Sequence, residues 1–291
     1  MKWSKAPLPF LGQKRHFLKE IEHIFKAYHA FVDDKNFKVI DVFGGSGLVA
    51  RTIKDALPLN NVVYNDFDLY QNRIKNVRHT DGVWYLLNQE LRGCDYEKKI
   101  DGTTYDAIRA IIQSLPEDSD WLTISSWLLF SGNYYHSKDE FLTHLGKGCN
   151  IYNNLIKSEL DCEAIERYLD GLDIISLDFL RVLELNRNEN AIYILDPPYI
   201  QTMVDGYKHQ SFSLCHFLDM IFELNNQNKP CIIFGSDKSK MLMIIDKIIQ
   251  NNALNNFKNY QILHKNTGRQ TYNSKNKNEF LLLSNFKHIK F

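Results

Sequence analysis

The sequence predicts an α/β protein built on an open, doubly wound, mostly parallel sheet. Short apolar runs of strand length alternate with helical stretches, a glycine-rich turn follows the first such run, and the alternation stops between about Gly82 and Asp170 before resuming. Short apolar strands alternating with helices make a parallel sheet covered on both faces. The interruption marks an inserted segment of different character.

In chain order, a loop and helix cover Gly12 to about Ala30, and "FKVIDVF" (Phe37–Phe43) is the first strand. The glycine turn "GGSG" (Gly44–Gly47) leads into helical "LVARTIKDAL". "NVVYND" (Asn61–Asp66) is the second strand, and another helix begins near Leu69. Acidic and aromatic residues then mix in mostly helical stretches. Strands resume at "LDIISLDF" (Leu172–Phe179), "NAIYIL" (Asn190–Leu195), "KPCIIFGS" (Lys229–Ser236), "YQILHKN" (Tyr260–Asn266) and "NEFLLLSNF" (Asn278–Phe286). Only "TGRQTYNSKNK" separates the last two, too short for a helix, so they are expected to form an antiparallel hairpin at the sheet edge. Residues 1–82 and 171–291 are thus expected to form the core, with 83–170 inserted in it.

Composition narrows the class. The 291 residues are 44% hydrophobic with a formal net charge of zero, which supports a substantial core and leaves any polyanionic partner to local patches of charge. The five cysteines form no CxxC pair, which is poor for a disulfide framework or a zinc site, so no metal is expected and a reducing compartment fits. No apolar run reaches the roughly eighteen residues of a membrane span, and "MKWSKAPLPFLGQKRHF" lacks the apolar stretch of a secretory signal. The expectation is a cytoplasmic protein without a membrane segment.

Three signals converge on one sheet edge. The glycine turn after the first strand lets a ligand approach the backbone and meet a helix N-terminus. It is followed by Leu48, Val49 and Ala50, so it is not the G-x-G-x-x-G fingerprint, which tells against NAD. Asp66 ends the second strand about twenty residues later, where an acid can accept from both ribose hydroxyls; the alternative is a helix N-cap, for which Asp68 competes. "AIYILDPPYI" (Ala191–Ile200) ends a buried strand on Asp196, Pro197, Pro198 and Tyr199: either a strand with a rigid stop, or a stiff loop holding a carboxylate and a ring over a ligand.

Taken in order, "PFLGQKR", "DVFGGSG", "YND", "LDF" and "LDPPY", with "YNSKNKNEFLLLSN" as a C-terminal hairpin, resemble the Dam-type, D12-class (group alpha) DNA adenine-N6 methyltransferases of bacteria and phages. That group has its cofactor motif first and its recognition insert in the middle. The resemblance covers residues 7–80 and 172–287. It implies a Rossmann-like, seven-stranded, S-adenosylmethionine-dependent core with a mostly helical target-recognition insert. It further implies that Phe10, Gly12 and Lys14 close over S-adenosyl-L-methionine and its carboxylate. Asp41, Phe43 and Gly45, with Ser46 and Gly47, would lie under the methionine moiety, and Asp66 would hold the ribose. Asp178 would meet the adenine amino group, with Phe179 on the ring. Asp196, Pro197, Pro198 and Tyr199 would form the catalytic loop, with Asp196 also near the cofactor.

The chemistry suits that loop. An exocyclic base amine is a poor nucleophile, and two acceptors on its N–H groups favour a tetrahedral nitrogen. Asp196 offers one and the Pro197 carbonyl the other. Tyr199 would stack on a base flipped from the duplex.

Phosphate contacts are expected from Lys2, Lys5, Lys14, Arg15 and Lys19, and from the tail carrying Lys258, Lys265, Arg269, Lys275, Lys277, Lys287 and Lys290 against Glu279. The alternative for each is a solvated surface cation. In the insert, "FSGNYYHSKDE" (Phe130–Glu140) offers Asn133, Tyr134, Tyr135, His136 and Lys138 to base edges. It lacks the "NVPFG"-like segment of GATC-recognising members, so a different recognition site is expected. The acidic Glu117, Asp118 and Asp120 are expected to face away from the duplex. The implied partners are double-stranded DNA and a cognate restriction endonuclease, with the chain a monomer or weak dimer. RNA adenine-N6 or DNA cytosine-N4 methylation, and a non-catalytic nucleic-acid-binding relative, are the competing readings.

Overall fold

A computed structural model describes residues 2–32, 34–130, 134–147, 150–198, 212–236, 240–250, 254, 257, 260–266, 278–286 and 289. Its strands are β1 (Lys38–Asp41), β2 (Val62–Asn65), β3 (Lys99–Ile100), β4 (Ile151–Tyr152), β5 (Asp173–Ile175), β6 (Ala191–Leu195), β7 (Cys231–Ser236), β8 (Tyr260–Asn266) and β9 (Asn278–Ser284). The helices are α1 (Leu18–Phe31), α2 (Leu48–Ala56), α3 (Tyr70–Lys75), α4 (Val77–Glu90), α5 (Gly102–Ser114), α6 (Trp121–Leu128), α7 (Lys138–Gly146), α8 (Cys162–Glu166), α9 (Phe179–Leu185), α10 (Leu214–Gln227) and α11 (Met241–Gln250).

Seven strands form one sheet in the order β5-β2-β1-β6-β7-β9-β8. The first five run parallel, and β9 is antiparallel to both of its neighbours. The expected terminal hairpin is therefore present, with β8 as the edge and β9 inside. The sequence explains the layout: β2, β6 and β7 are buried at every residue, as strands covered on both faces must be, whereas edge strand β8 is not. Chain order reverses between β1 and β6. That makes their carboxyl ends the topological switch point, where open α/β sheets bind ligands.

The chain divides into two compact units: Met1–Ala6, Gly12–Leu69 and Asp170–Phe291 in the first, Pro7–Leu11 and Tyr70–Leu169 in the second. The first contains the seven-stranded sheet, packed through residues such as Ile40, Tyr193, Ile233, Phe217 and Leu282. The second is mainly helical and has its own core, built on Trp84, Trp121, Trp127, Ile108, Ile112 and Phe141. Its acids and caps are well placed: Asp120 caps α6 by accepting from Thr123 N, and Ser137 caps α7 by accepting from Glu140 N.

Two expectations are corrected. The run Leu172–Phe179 is not one long strand; only Asp173–Ile175 pairs, and only with β2. Asp178 then caps α9, its carboxylate accepting from Leu180 N at 2.9 Å, so Phe179 opens a helix. Asp120 is not a surface acid. It is 5% exposed and binds Arg73 Nε at 2.8 Å and Thr123 Oγ1 at 2.6 Å, because a buried carboxylate must be matched by donors.

Candidate active site

The site belongs to the sheet unit and grows from the carboxyl ends of three adjacent parallel strands, β2, β1 and β6. Each ends on an acid or is directly followed by one: Asp66, Asp41 and Asp196. Asp41 and Asp66 are both 2% exposed, while the Asp196 side chain is 26% exposed.

The turn after β1 is shaped by what lies beneath it. A Cβ added to Gly44 would sit 2.2 Å from Tyr64 Cδ2 and 3.0 Å from the Asn65 carbonyl, so this position is closed to any side chain. Gly45 and Gly47 have φ of 50° and 71°, in the left-handed region that favours glycine. The turn delivers the chain to the N-terminus of α2. There the Ala50 amide, which has no acceptor within the helix, donates to the Asp41 carboxylate.

Two residues of β2 fasten this edge together, the first two of the "YND" motif, in which motif reading assigns a role to Asp66 alone. Asn65 donates through Nδ2 to the carbonyls of Val42 and Leu177, both at 2.9 Å, and accepts from Leu177 N at 2.9 Å. One amide thus ties the ends of β1, β2 and β5. Tyr64, fully buried, places its hydroxyl 2.6 Å from the Gly45 carbonyl and 3.0 Å from Asp66 Oδ1, joining the glycine turn to the acid after β2. The available signal was an aromatic and an amide in a strand that is otherwise Val62 and Val63.

Burial, and then the nearby charge of Asp196, push the Asp41 carboxyl up to about 8; the Ala50 amide pulls the other way. Its Oδ2 is buried and has no hydrogen-bond partner among the described residues. Lys14, only 4% exposed, places Nζ 2.6 Å from Asp196 Oδ2 and donates to the Gly12 carbonyl at 2.9 Å. The resemblance puts Lys14 over a cofactor carboxylate; in the structure its ammonium lies on Asp196. Pro197 is buried and Pro198 half-buried after Asp196.

An aromatic group stands at the same edge. Phe43 stacks on Phe179 with centroids 5.5 Å apart, and Phe212 meets both rings at 5.8 and 5.6 Å. His216, third residue of α10, packs on Phe212 and closes a capping box with Ser213. Phe212 and His216 lie outside every motif in the sequence.

Other expected residues fall elsewhere. Phe10 clusters with the second unit, edge-on to Tyr70 at 5.8 Å. Gly12 and Arg15 are exposed, Ser46 and Gly47 buried. In the second unit Tyr134 and His136 are half-buried. Tyr135 stacks on Phe141 and shares a 2.8 Å hydrogen bond with His144, and Lys138 donates to the Leu115 carbonyl at 2.7 Å. Tyr199, Asn133, Arg269, Lys275 and Lys277 lie outside the described residues. Among the expected phosphate-binding cations, Lys2 pairs with Glu22, and Lys265 with Glu20 at 2.5 Å. Among the described residues, no helix is long and apolar enough to cross a membrane, and no cluster of three or more His, Cys, Asp or Glu is placed to hold a metal.

A mostly parallel seven-stranded sheet with its terminal hairpin reversed, and with acids on three neighbouring carboxyl ends, defines a Rossmann-like methyltransferase fold. The family model of D12 class N6 adenine-specific DNA methyltransferases matches residues 10–271. The chain belongs to that family. It is also 31% identical over 264 residues to a protein of Haemophilus influenzae whose name proposes a methyltransferase and gives no substrate; the match covers 89% of this chain and 86% of that protein.

Proposed function

We propose that this chain transfers a methyl group from S-adenosylmethionine to N6 of a flipped-out adenine in double-stranded DNA, at a specific sequence read by the inserted unit. The observation that carries the reading is Asp196. It is a partly exposed carboxylate at the switch point, fixed by buried Lys14 and followed by two prolines.

The sheet edge fits the cofactor. Gly44, packed on Tyr64, forms a surface that a Cβ would fill, and Asp41 Oδ2 is a buried acceptor without a donor among the described residues. Asp41 and the glycine turn would take the amino-acid part and Asp66 the ribose, with Phe43 and Phe179 beside the adenine. When bound, S-adenosylmethionine supplies an electrophilic methyl on a positive sulfur.

The protein's part is orientation. Asp196 and the Pro197 carbonyl accept the two N–H bonds of the target amine, which draws its lone pair out of the ring and towards the methyl group. Lys14 holds the Asp196 carboxylate in place. Proline presents its carbonyl from a backbone with fixed φ. Flipping the base costs roughly a few kcal/mol, and aromatic stacking, the role assigned to Tyr199, offsets about 1–3 kcal/mol of it. A cognate restriction endonuclease, a monomeric or weakly dimeric state and a cytoplasmic location accompany this reading.

The test is transfer of tritiated methyl from S-adenosylmethionine to duplex DNA, single-stranded DNA and RNA, followed by nucleoside analysis. Label in N6-methyladenine from duplex DNA is expected. Label in cytosine, or in RNA alone, would overturn the substrate assignment.

A further inference from the structure

Asp41 is an acid of the site whose environment does not suit a charge. Its carboxyl is 2% exposed, receives one backbone amide from Ala50, and leaves Oδ2 without a donor among the described residues. Its strand is in register with β6 at Ile194, two residues before Asp196, so a second carboxylate stands close by. The charged and polar groups described beside it come from three elements. From β6 comes Asp196 with Lys14 upon it; from β2, in register at Tyr64, come Tyr64 and Asp66, bonded to each other; from α2 comes the Ala50 amide. Lys14 places its ammonium on Asp196 and donates to the Gly12 carbonyl.

An acid placed like this holds a proton at neutral pH. Its Oδ2 calls for a ligand that is both a cation and a hydrogen-bond donor. A sulfonium is a cation with no hydrogen to give. An α-ammonium is both.

We propose that binding of the cofactor's α-ammonium against Asp41 releases the proton of that carboxyl to solvent, so that cofactor affinity in this enzyme is linked to pH. The step balances simply: Asp41–COOH and R–NH₃⁺ become a carboxylate–ammonium pair and one free proton. The proposal rests on the assignment of an S-adenosylmethionine site to this edge. It adds that S-adenosylmethionine and S-adenosylhomocysteine release equal protons, because they share the ammonium and differ at sulfur.

The test is calorimetric titration of the full chain with each compound at pH 7, in phosphate and in Tris, whose ionisation enthalpies differ widely. The expected result is a binding enthalpy that shifts with buffer by close to one proton per site for both ligands. The dissociation constant of the wild-type chain should also fall by about tenfold per unit between pH 6 and 7. Asp41→Asn should bind with no buffer dependence and a flat pH profile. Binding heat that is the same in both buffers overturns the proton linkage and leaves the cofactor site standing. Proton release with S-adenosylmethionine alone overturns the ammonium assignment. No binding of either compound overturns the site itself. The wild-type pH profile decides the matter if Asp41→Asn does not fold.

Discussion

Asp41 in the sheet unit and Asp120 in the inserted unit are buried to similar depth, 2% and 5% exposed, yet they are satisfied in opposite ways. Asp120 accepts from Arg73 Nε, Thr123 N and Thr123 Oγ1, so its charge and lone pairs are consumed within its own unit. Asp41 has one backbone amide, a second carboxylate nearby and an oxygen without a partner among the described residues. Folding alone explains the first arrangement: it caps α6 and anchors Arg73. The second costs stability, and only a ligand gives it a purpose. A buried acid with a complete shell marks architecture, whereas one with an incomplete shell at a switch point marks a site.

The largest effect should come from the sheet edge itself. Asp196→Asn keeps the shape and a partner for Lys14 but replaces an acceptor with a donor. Methyl transfer is expected to drop by about 10²–10³-fold or more, with cofactor affinity little changed, in single-turnover and equilibrium-binding measurements. Retained transfer would remove Asp196 from its role and the comparison with it.

Next comes the opposite pole. Asp120→Ala leaves the Arg73 guanidinium, whose side chain is 13% exposed, without its carboxylate. Such a loss costs about 3–5 kcal/mol when the pair is fully buried, so roughly 3 kcal/mol is expected in denaturant unfolding. Cofactor affinity should not move. Lost affinity without lost stability would make Asp120 a site residue after all.

Asp41→Asn sharpens the contrast through its pH dependence. In the fold this carboxyl keeps its proton up to about pH 8, whereas in the unfolded chain it loses it near pH 4. Between those values the folded state binds one more proton than the unfolded state, so wild-type stability falls as pH rises. The stability of Asp41→Asn minus that of wild type should therefore climb from about pH 4 to about pH 8, by up to about 1.4 kcal/mol per unit, and level off above. A flat difference would show that Asp41 is ionised in the fold.

Much of this was legible from the chain alone, for a physical reason. Strands covered on both faces must be apolar throughout, so β1, β2, β6 and β7 stand out, and acids that follow them fall on one edge by the parallel rule. Strand β5 was overread because "LDIISLDF" looks continuous, while an edge strand pairs on one side only and Asp178 gains more as a helix cap. The inserted unit was less legible still. In "NYYHSKDE", polarity suggests an outward face, yet Tyr135 rests on Phe141 and Lys138 reaches the Leu115 carbonyl. Helical contacts across sequence separations of six and twenty-three residues leave no local periodic trace. The contacts of Asn65 and Tyr64, both within "YND", were hidden for a related reason: their partners Leu177 and Gly45 lie far away in sequence.

The smallest effect separates ring from hydroxyl at Tyr64. The ring fills the space under Gly44, and the hydroxyl, with a single hydrogen, lies between two acceptors, the Gly45 carbonyl at 2.6 Å and Asp66 Oδ1 at 3.0 Å. Tyr64→Phe keeps the ring and removes the link between the turn and the acid. A stability loss of about 1 kcal/mol is expected, because one buried hydrogen bond is lost and its acceptors are backbone and carboxylate. The functional signature should be a severalfold weaker cofactor with an unchanged rate at saturation, since the hydroxyl positions the groups that bind. Gly44→Ala attacks the ring's side of the same contact and should weaken cofactor binding further, because its Cβ cannot occupy the position without moving either Tyr64 or the turn. If Tyr64→Phe lowered the saturated rate and spared affinity, the hydroxyl would act on the reacting amine, and the boundary drawn between binding edge and catalytic loop would have to move.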